Sequence, residues 1–174
     1  SINNGADINN NTSGEGGAFY VGGGTVNLLG GAVYMNSASY GGAFVVSDNG
    51  KLKLYDGSVY ENTATVDGAG IYNTGSVEFY AAGNIDASND VYLPVGETIT
   101  MAAKSVFSSA IVTITPEEYA EGIRVISGDY TAMNASLCNI TPQEEMEWHI
   151  NSSGKLTTSE IKYVLTDRRL YFII

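Results

Sequence analysis

The feature that most limits what this chain can fold into is a repeat of 25–26 residues. The stretches GADINNNTSGEGGAFYV (5–21), GGAVYMNSASYGGAFVV (30–46) and GSVYENTATVDGAGIYN (57–73) follow one order of residue types. An apolar residue three places before an Asn sets the register at Ile8, Val33, Val59 and Ile85, with spacings of 25, 26 and 26. Asn11, Asn36 and Asn62 share that register, and Ser88 takes the slot in the fourth unit. A second row follows the glycines at Phe19, Phe44, Ile71 and Val91, and a third comprises Val26/Leu28, Leu52/Leu54, Val77/Phe79 and Ile99/Met101. Each period therefore holds three short runs of alternating character, separated by Gly, Asn, Asp or Ser.

Short runs of period two are strands, and their punctuation marks turns. A helical reading fails, because no window keeps a helical spacing through so much glycine: 17 of the 21 glycines fall in residues 1–94. Three strands per 25–26 residues, with like residues stacked, predict an all-β, single-stranded parallel β-helix in which no coil buries its apolar face alone. The strand-crossover rule makes it right-handed. The Asn row then predicts a ladder of amides along the axis, with Asn also supplying left-handed turn geometry.

Residues 1–94 read as regular glycine-rich coils, and 95–174 as a less regular continuation or a small C-terminal β-domain. Ile111, Leu137 and Tyr163 continue the first register at 26-residue steps from Ile85, and ITPEEY (114–119) and ITPQEEM (140–146) also lie 26 apart. Val125 and Ile150 follow Ile99 in the third row. The TPEE and TPQEE segments predict short helical turns with Thr as N-cap and Pro at the first position, the first one stopped by Gly122. LYFII (170–174) reads as a last strand.

The net charge of −11 offers no basic stripe to nucleic acid and no attraction to an anionic membrane. No apolar run is long enough to insert in a bilayer. The one cysteine, Cys138, excludes an intrachain disulfide framework and reads as a buried small hydrophobe. The chain starts inside a repeat, without an initiator Met or a leader, and reads as a piece of a longer protein.

The paired signatures resemble the repeats of chlamydial polymorphic outer-membrane-protein adhesins. Those repeats alternate a Gly-Gly-Ala-aliphatic tetrapeptide with a Phe-x-x-Asn tetrapeptide. Here GGAF (16–19), GGAF (41–44) and GAGI (68–71) stand beside INNN (8–11), VYMN (33–36) and VYEN (59–62). The resemblance implies a cell-surface or secreted bacterial β-helix, adhesive in character and without catalytic residues.

If the second row points inward, its neighbours Tyr20, Val45, Tyr72 and Tyr92 form an outward column. Asn9, Tyr34, Tyr60 and Asp86 form another, and Asn27, Lys53, Glu78 and Thr100 a third, in which Lys53 and Glu78 are cross-coil neighbours. The two tyrosine columns are the candidate contacts for a partner or a glycan. Asp48, Asp56 and Asp67 read as turn residues rather than calcium ligands. A glycosidase needs two carboxylates at a defined separation, and Asp56 and Asp86 share no register position. His149 has no nucleophile motif beside it, and GAFYVGGG lacks the strand-then-helix setting of a dinucleotide site. No motif asks for a cofactor or metal. The expectation is a non-enzymatic extracellular adhesin or stalk that meets a host or neighbouring-cell protein or glycan, with self-assembly through the solenoid ends as a variant. The alternative is a carbohydrate-active β-helix, either lyase- or hydrolase-like or a sugar-binding module.

Overall fold

The computed structural model describes residues 1–80, 84–85, 89–102, 111–128, 137–143, 146–160, 162–166 and 169–173. It is an all-β solenoid of about four turns, built from stacked parallel sheets, with no helix among the described residues. One sheet runs β1 (Asp7–Asn9), β3 (Gly24–Tyr34), β6 (Gly50–Tyr60), β9 (Ser76–Phe79), β12 (Ile99–Met101) and β14 (Ile126–Gly128), with β10 (Asn84–Ile85) also on β6. A second runs β2 (Phe19–Val21), β5 (Phe44–Val46), β8 (Ile71–Asn73), β11 (Asp90–Leu93), β13 (Val112–Pro116) and β15 (Cys138–Ile140). Neighbours along both sheets are parallel.

The apolar rows of the sequence are the rows of this core. Phe19, Phe44, Ile71, Val91, Ile114 and Ile140 are successive register partners, and Phe19 and Phe44 stack with centroids 5.2 Å apart. Ile8, Val33, Val59 and Ile85 pair likewise. That row continues through Ile85 N–H to the Ile111 carbonyl (2.7 Å) and Ile111 N–H to the Leu137 carbonyl (3.0 Å). Leu52, Leu54, Val77, Phe79, Ile99 and Met101 fill the third, and all six are buried. Complete burial of such side chains stabilises the fold by about 1.5–3 kcal/mol each.

Two of the three expected runs merge. β3 and β6 each carry a third-row segment and the following first-row segment in one 11-residue strand, with the register shifting between Leu28 and Ala32. β9 pairs the first half of β6 and β10 the second. A further parallel pair, β4 (Ser37–Tyr40) and β7 (Thr63–Asp67), forms a wall that hydrophobic alternation does not announce.

The Asn ladder is present, with one substitution of membership. The Asn11 backbone and amide N–H groups both donate to Asn36 Oδ1 (3.1 and 2.9 Å), and those of Asn36 donate to Asn62 Oδ1 (3.0 and 2.9 Å). Asn62 repeats the pattern onto Asn89 Oδ1 (3.2 and 2.7 Å), so Asn89 is the fourth rung. Ser88, the residue expected there, lies outside the described residues. The amides of Asn36 and Asn62 also donate to the carbonyls of Tyr34 and Ile8, and of Tyr60 and Val33. Asn36, Asn62 and Asn89 are buried, so these bonds meet the demand that a buried polar group be satisfied. The left-handed geometry belongs to the residue before each of the first three rungs, at Asn10 (φ 56°), Met35 (φ 53°) and Glu61 (φ 52°). That backbone turn swings each amide into line with the coil above.

The glycine corners answer a need for space. Gly41 has φ +61°, and a Cβ on Gly42 would stand 2.3 Å from the Ala69 carbonyl oxygen. Gly16 and Gly17 repeat this one coil earlier, Gly17 against the Gly42 carbonyl.

Beyond β15 the pattern changes. Ile150 and Tyr163 do not continue the coils: Ile150 ends β16 (Met146–Ile150), antiparallel to β17 (Leu156–Glu160), and Tyr163 lies in β18 (Lys162–Thr166), antiparallel to β19 (Arg169–Ile173). Ile99 takes Ile126 as its partner rather than Val125, a spacing longer by one residue. The first expected helical turn is absent, since Thr115 and Pro116 finish β13; of the second, Glu144 and Glu145 lie outside the described residues, and Gln143 makes an antiparallel bridge to Met146. Pro116 disfavours helical backbone at Thr115, which stays in the β13 ladder, and this outweighs the capping preference.

The β16–β17 hairpin closes the core at this end. The Gly154 carbonyl accepts from Val125 and Ile126 N–H (3.0 and 3.1 Å), and Leu156 N–H donates to the Ile123 carbonyl (2.7 Å). Leu156 is buried in the core cluster, and Trp148 packs edge-on against Tyr119 at 5.7 Å. Cys138 is buried as expected, and burial pushes its thiol up to about 12.

Candidate functional site

Strand alternation turns Tyr20, Val45, Tyr72 and Tyr92 outward as one column, register partner to register partner, with Thr115 next in line. Its members differ in exposure. Tyr20 is 58% exposed and Val45 only 5%, while Tyr72 and Tyr92 are half-buried and stack at 5.3 Å. The small Val45 between two tyrosines leaves a notch in the column.

A second row stands beside it. Glu15 bridges Tyr40, and Tyr40 is the register partner of Asp67. The Tyr40 ring meets Tyr72 edge-on, with centroids 5.2 Å apart and planes at 72°. Together Glu15, Tyr20, Tyr40, Val45, Ser47, Tyr72 and Thr74 line a groove of about 200 Å³. Sequence reasoning found Tyr20 and Tyr72 but missed Glu15 and Tyr40, which sit in SGE and SASY, runs with no alternation to reveal a strand. Asp67, expected in a turn, closes β7 beside this groove. Asp56, also expected in a turn, lies instead inside β6 at the register shift opposite Leu29, where its Oδ1 accepts the Gly57 N–H at 2.7 Å.

The electrostatics here are of one sign. Partial burial, and then the charges of Asp67 and Glu117, raise the Tyr72 hydroxyl above its usual range and the Tyr92 hydroxyl to about 12. Partial burial, Asp90 and Glu117 likewise raise the Asp67 carboxyl. Asp90 Oδ1 accepts the Ala69 N–H (2.7 Å), and Glu117 Oε2 accepts the Val95 N–H (2.9 Å). Among the described residues the ion pairs join Lys51 and Lys53 to Glu78 and His149 to Glu147, so no cation neutralises Glu15, Asp67, Asp90 or Glu117.

The other tyrosine column is flat. Asn9, Tyr34 and Tyr60 are register partners, and the two rings lie parallel at 5.0 Å with planes 1° apart; Asp86 lies outside the described residues. Burial first, then Tyr34, Glu61 and Asp7, raise the Tyr60 hydroxyl. The third column forms as expected. Lys53 pairs with Glu78 at 3.3 Å, Lys51 joins at 2.9 Å, and Tyr80 donates to Glu78 (3.0 Å) while stacking on Tyr55. These contacts bind coil to coil.

The hairpin brings His149 within 2.9 Å of Ser159 Oγ and 3.9 Å of Glu147 Oε1, a neighbourhood the sequence did not disclose. Both partners address Nε2. A catalytic relay needs the hydroxyl on one ring nitrogen and the acid on the other, and this exposed trio does not supply that. No group of three or more potential metal-ligating side chains occurs among the described residues. Asn11, Asn36 and Asn62 have their amides committed to the ladder. The groove between Tyr20 and Tyr72 is thus the place where shape, aromatic surface and charge coincide. Comparison of the chain with protein-family models, with curated proteins and with solved structures returns no match.

Proposed function

We propose that this chain is a non-enzymatic binding module of a bacterial cell-surface or secreted protein, a β-helix acting as adhesin or stalk that meets a host or neighbouring-cell partner through the Tyr20–Tyr72 groove. The observation that carries this reading is the groove itself. The repeats commit their apolar and amide side chains to the solenoid interior, while the outward tyrosines and Glu15 are left to line a concave surface. Aromatic faces rimmed by polar groups suit recognition of proteins and sugar rings alike.

The test is attachment. Beads coated with the chain should be retained on host-cell monolayers or glycan arrays, and Tyr20→Ala with Tyr72→Ala should lower retention at least tenfold. Retention unchanged by the double substitution overturns the groove as the contact. Release of reducing sugar from any polysaccharide by the purified chain overturns the non-enzymatic reading in favour of a carbohydrate-active β-helix.

A further inference from the structure

We propose that the Tyr20–Tyr72 groove recognises arginine side chains on an extended basic segment of a partner protein, two arginines seating beside Glu15 and Asp67. The inference rests on the adhesive reading and names the chemistry of its partner.

The groove offers what a guanidinium requires. Tyr20 presents an exposed ring, and Tyr40 and Tyr72 form a fixed edge-to-face pair. Planar cations are attracted to aromatic faces, and arginine stacks on them better than lysine does. Glu15 lines the same groove, and Asp67 stands in register beyond Tyr40. Both carboxylates lack an ion-pair partner among the described residues.

The solenoid also sets a spacing. Glu15, Tyr40 and Asp67 belong to three successive coils. Parallel strands lie about 4.8 Å apart, so the two acids stand about 10 Å apart along the axis. A peptide in the extended polyproline II form advances about 3.1 Å per residue with three residues per turn, so side chains three residues apart share a face about 9 Å apart, close to that distance. Asp67 is crowded by Asp90 and Glu117, and an arriving cation relieves this repulsion. The net charge of −11 steers basic partners toward the chain, while the aromatic notch localises them. A neutral sugar would leave these carboxylates as uncompensated as before.

The experiment is fluorescence anisotropy of labelled Gly/Ser peptides carrying two arginines three residues apart, at about 0.15 M salt. Matched peptides carry citrulline in place of arginine, or the two arginines side by side. The spaced arginine peptide should bind at least tenfold tighter than the citrulline peptide and measurably tighter than the adjacent pair. Glu15→Gln and Tyr20→Ala, both at exposed positions that leave the core intact, should each weaken it at least fivefold; Asp56→Asn, an exposed acid in β6, should change it less than twofold. Equal binding of the citrulline peptide overturns the proposal. So does an Asp56→Asn loss as large as that of Glu15→Gln, which would mark attraction to overall charge. If the arginine peptides fail while bead retention still depends on Tyr20 and Tyr72, the cation inference falls and the adhesive reading stands. If both fail, the reading falls with it.

Discussion

The coils up to residue 80 and the segment from 111 to 160 keep their chains in line by different means. In the first, every coil repeats the same two devices: an Asn whose amide grips the next Asn, and a glycine corner with no room for a Cβ. In the second, Gly128, whose Cβ would stand 2.4 Å from the Met101 carbonyl oxygen, keeps one such corner, and no further Asn extends the ladder among the described residues. Ile114 still pairs with Ile140, and Thr115 meets Thr141 through their hydroxyls at 2.6 Å, but the stack then ends under an antiparallel hairpin. Identical side chains stacked in register let a parallel coil propagate. Where they run out, the strand edge is met by a different pairing, as exposed edges generally are.

The sharpest way to break this contrast is to remove one rung. Asn62→Ala strips partners from the buried Asn36 amide and Val33 carbonyl and from the partly buried Tyr60 carbonyl. Each such orphan costs about 1–3 kcal/mol, and the total should be about 4 kcal/mol or more. A lower urea midpoint, with hydrogen-exchange protection lost first at Asn36 and Thr63, is the expected outcome. A loss below about 1 kcal/mol would show that the ladder is decoration. Next, Leu156→Ala empties a buried site under the hairpin and should cost about 3 kcal/mol. Here protection should fall at Val125 and Ile126 while Val33 keeps its own, because coils couple mainly to their neighbours.

Gly42→Ala forces a methyl against the Ala69 carbonyl and should cost about 2 kcal/mol, whereas Gly14→Ala, with open space around it, should be neutral or slightly stabilising. Paired thermal melts read the difference. The smallest effect belongs to the surface ladder. Burial alone would raise the Glu78 carboxyl, but hydrogen bonds from Lys51, Tyr80 and Lys53 bring it below 4.5. A lowered folded-state value means stability that is present at neutral pH and lost as pH falls through that value. Glu78→Gln should therefore cost less than about 1 kcal/mol at pH 7, and the difference should vanish in acid.

The rows were legible because burial imposes period two on strands and stacking imposes period 26 on coils. Phe44, Val59 and Leu54 carry both signals. What was hidden carried neither. SASY and TATVD form paired strands with only Ala38 among their residues fully buried, so no alternation marks them. Asn89 escaped because its coil is longer by one residue, which moves the amide past the slot Ser88 occupies in the sequence count. Ile150 and Tyr163 satisfied the period by spacing alone, and spacing cannot tell a parallel partner from an antiparallel one. The groove was half legible: its tyrosines follow from strand alternation, whereas Glu15 and Tyr40 reach it from a wall the sequence does not announce.

The ladder has one more consequence, for how such a molecule can change size. Each rung speaks only to the rung on either side, Asn36 to Asn11 and Asn62. Excising residues 37–62 would set Asn36 against Asn89 and leave every row continuous. A segment that is not a whole coil would misalign the rows. The solenoid is thus a ruler graduated in steps of about 4.8 Å, and its gene can lengthen or shorten what it builds only by whole graduations.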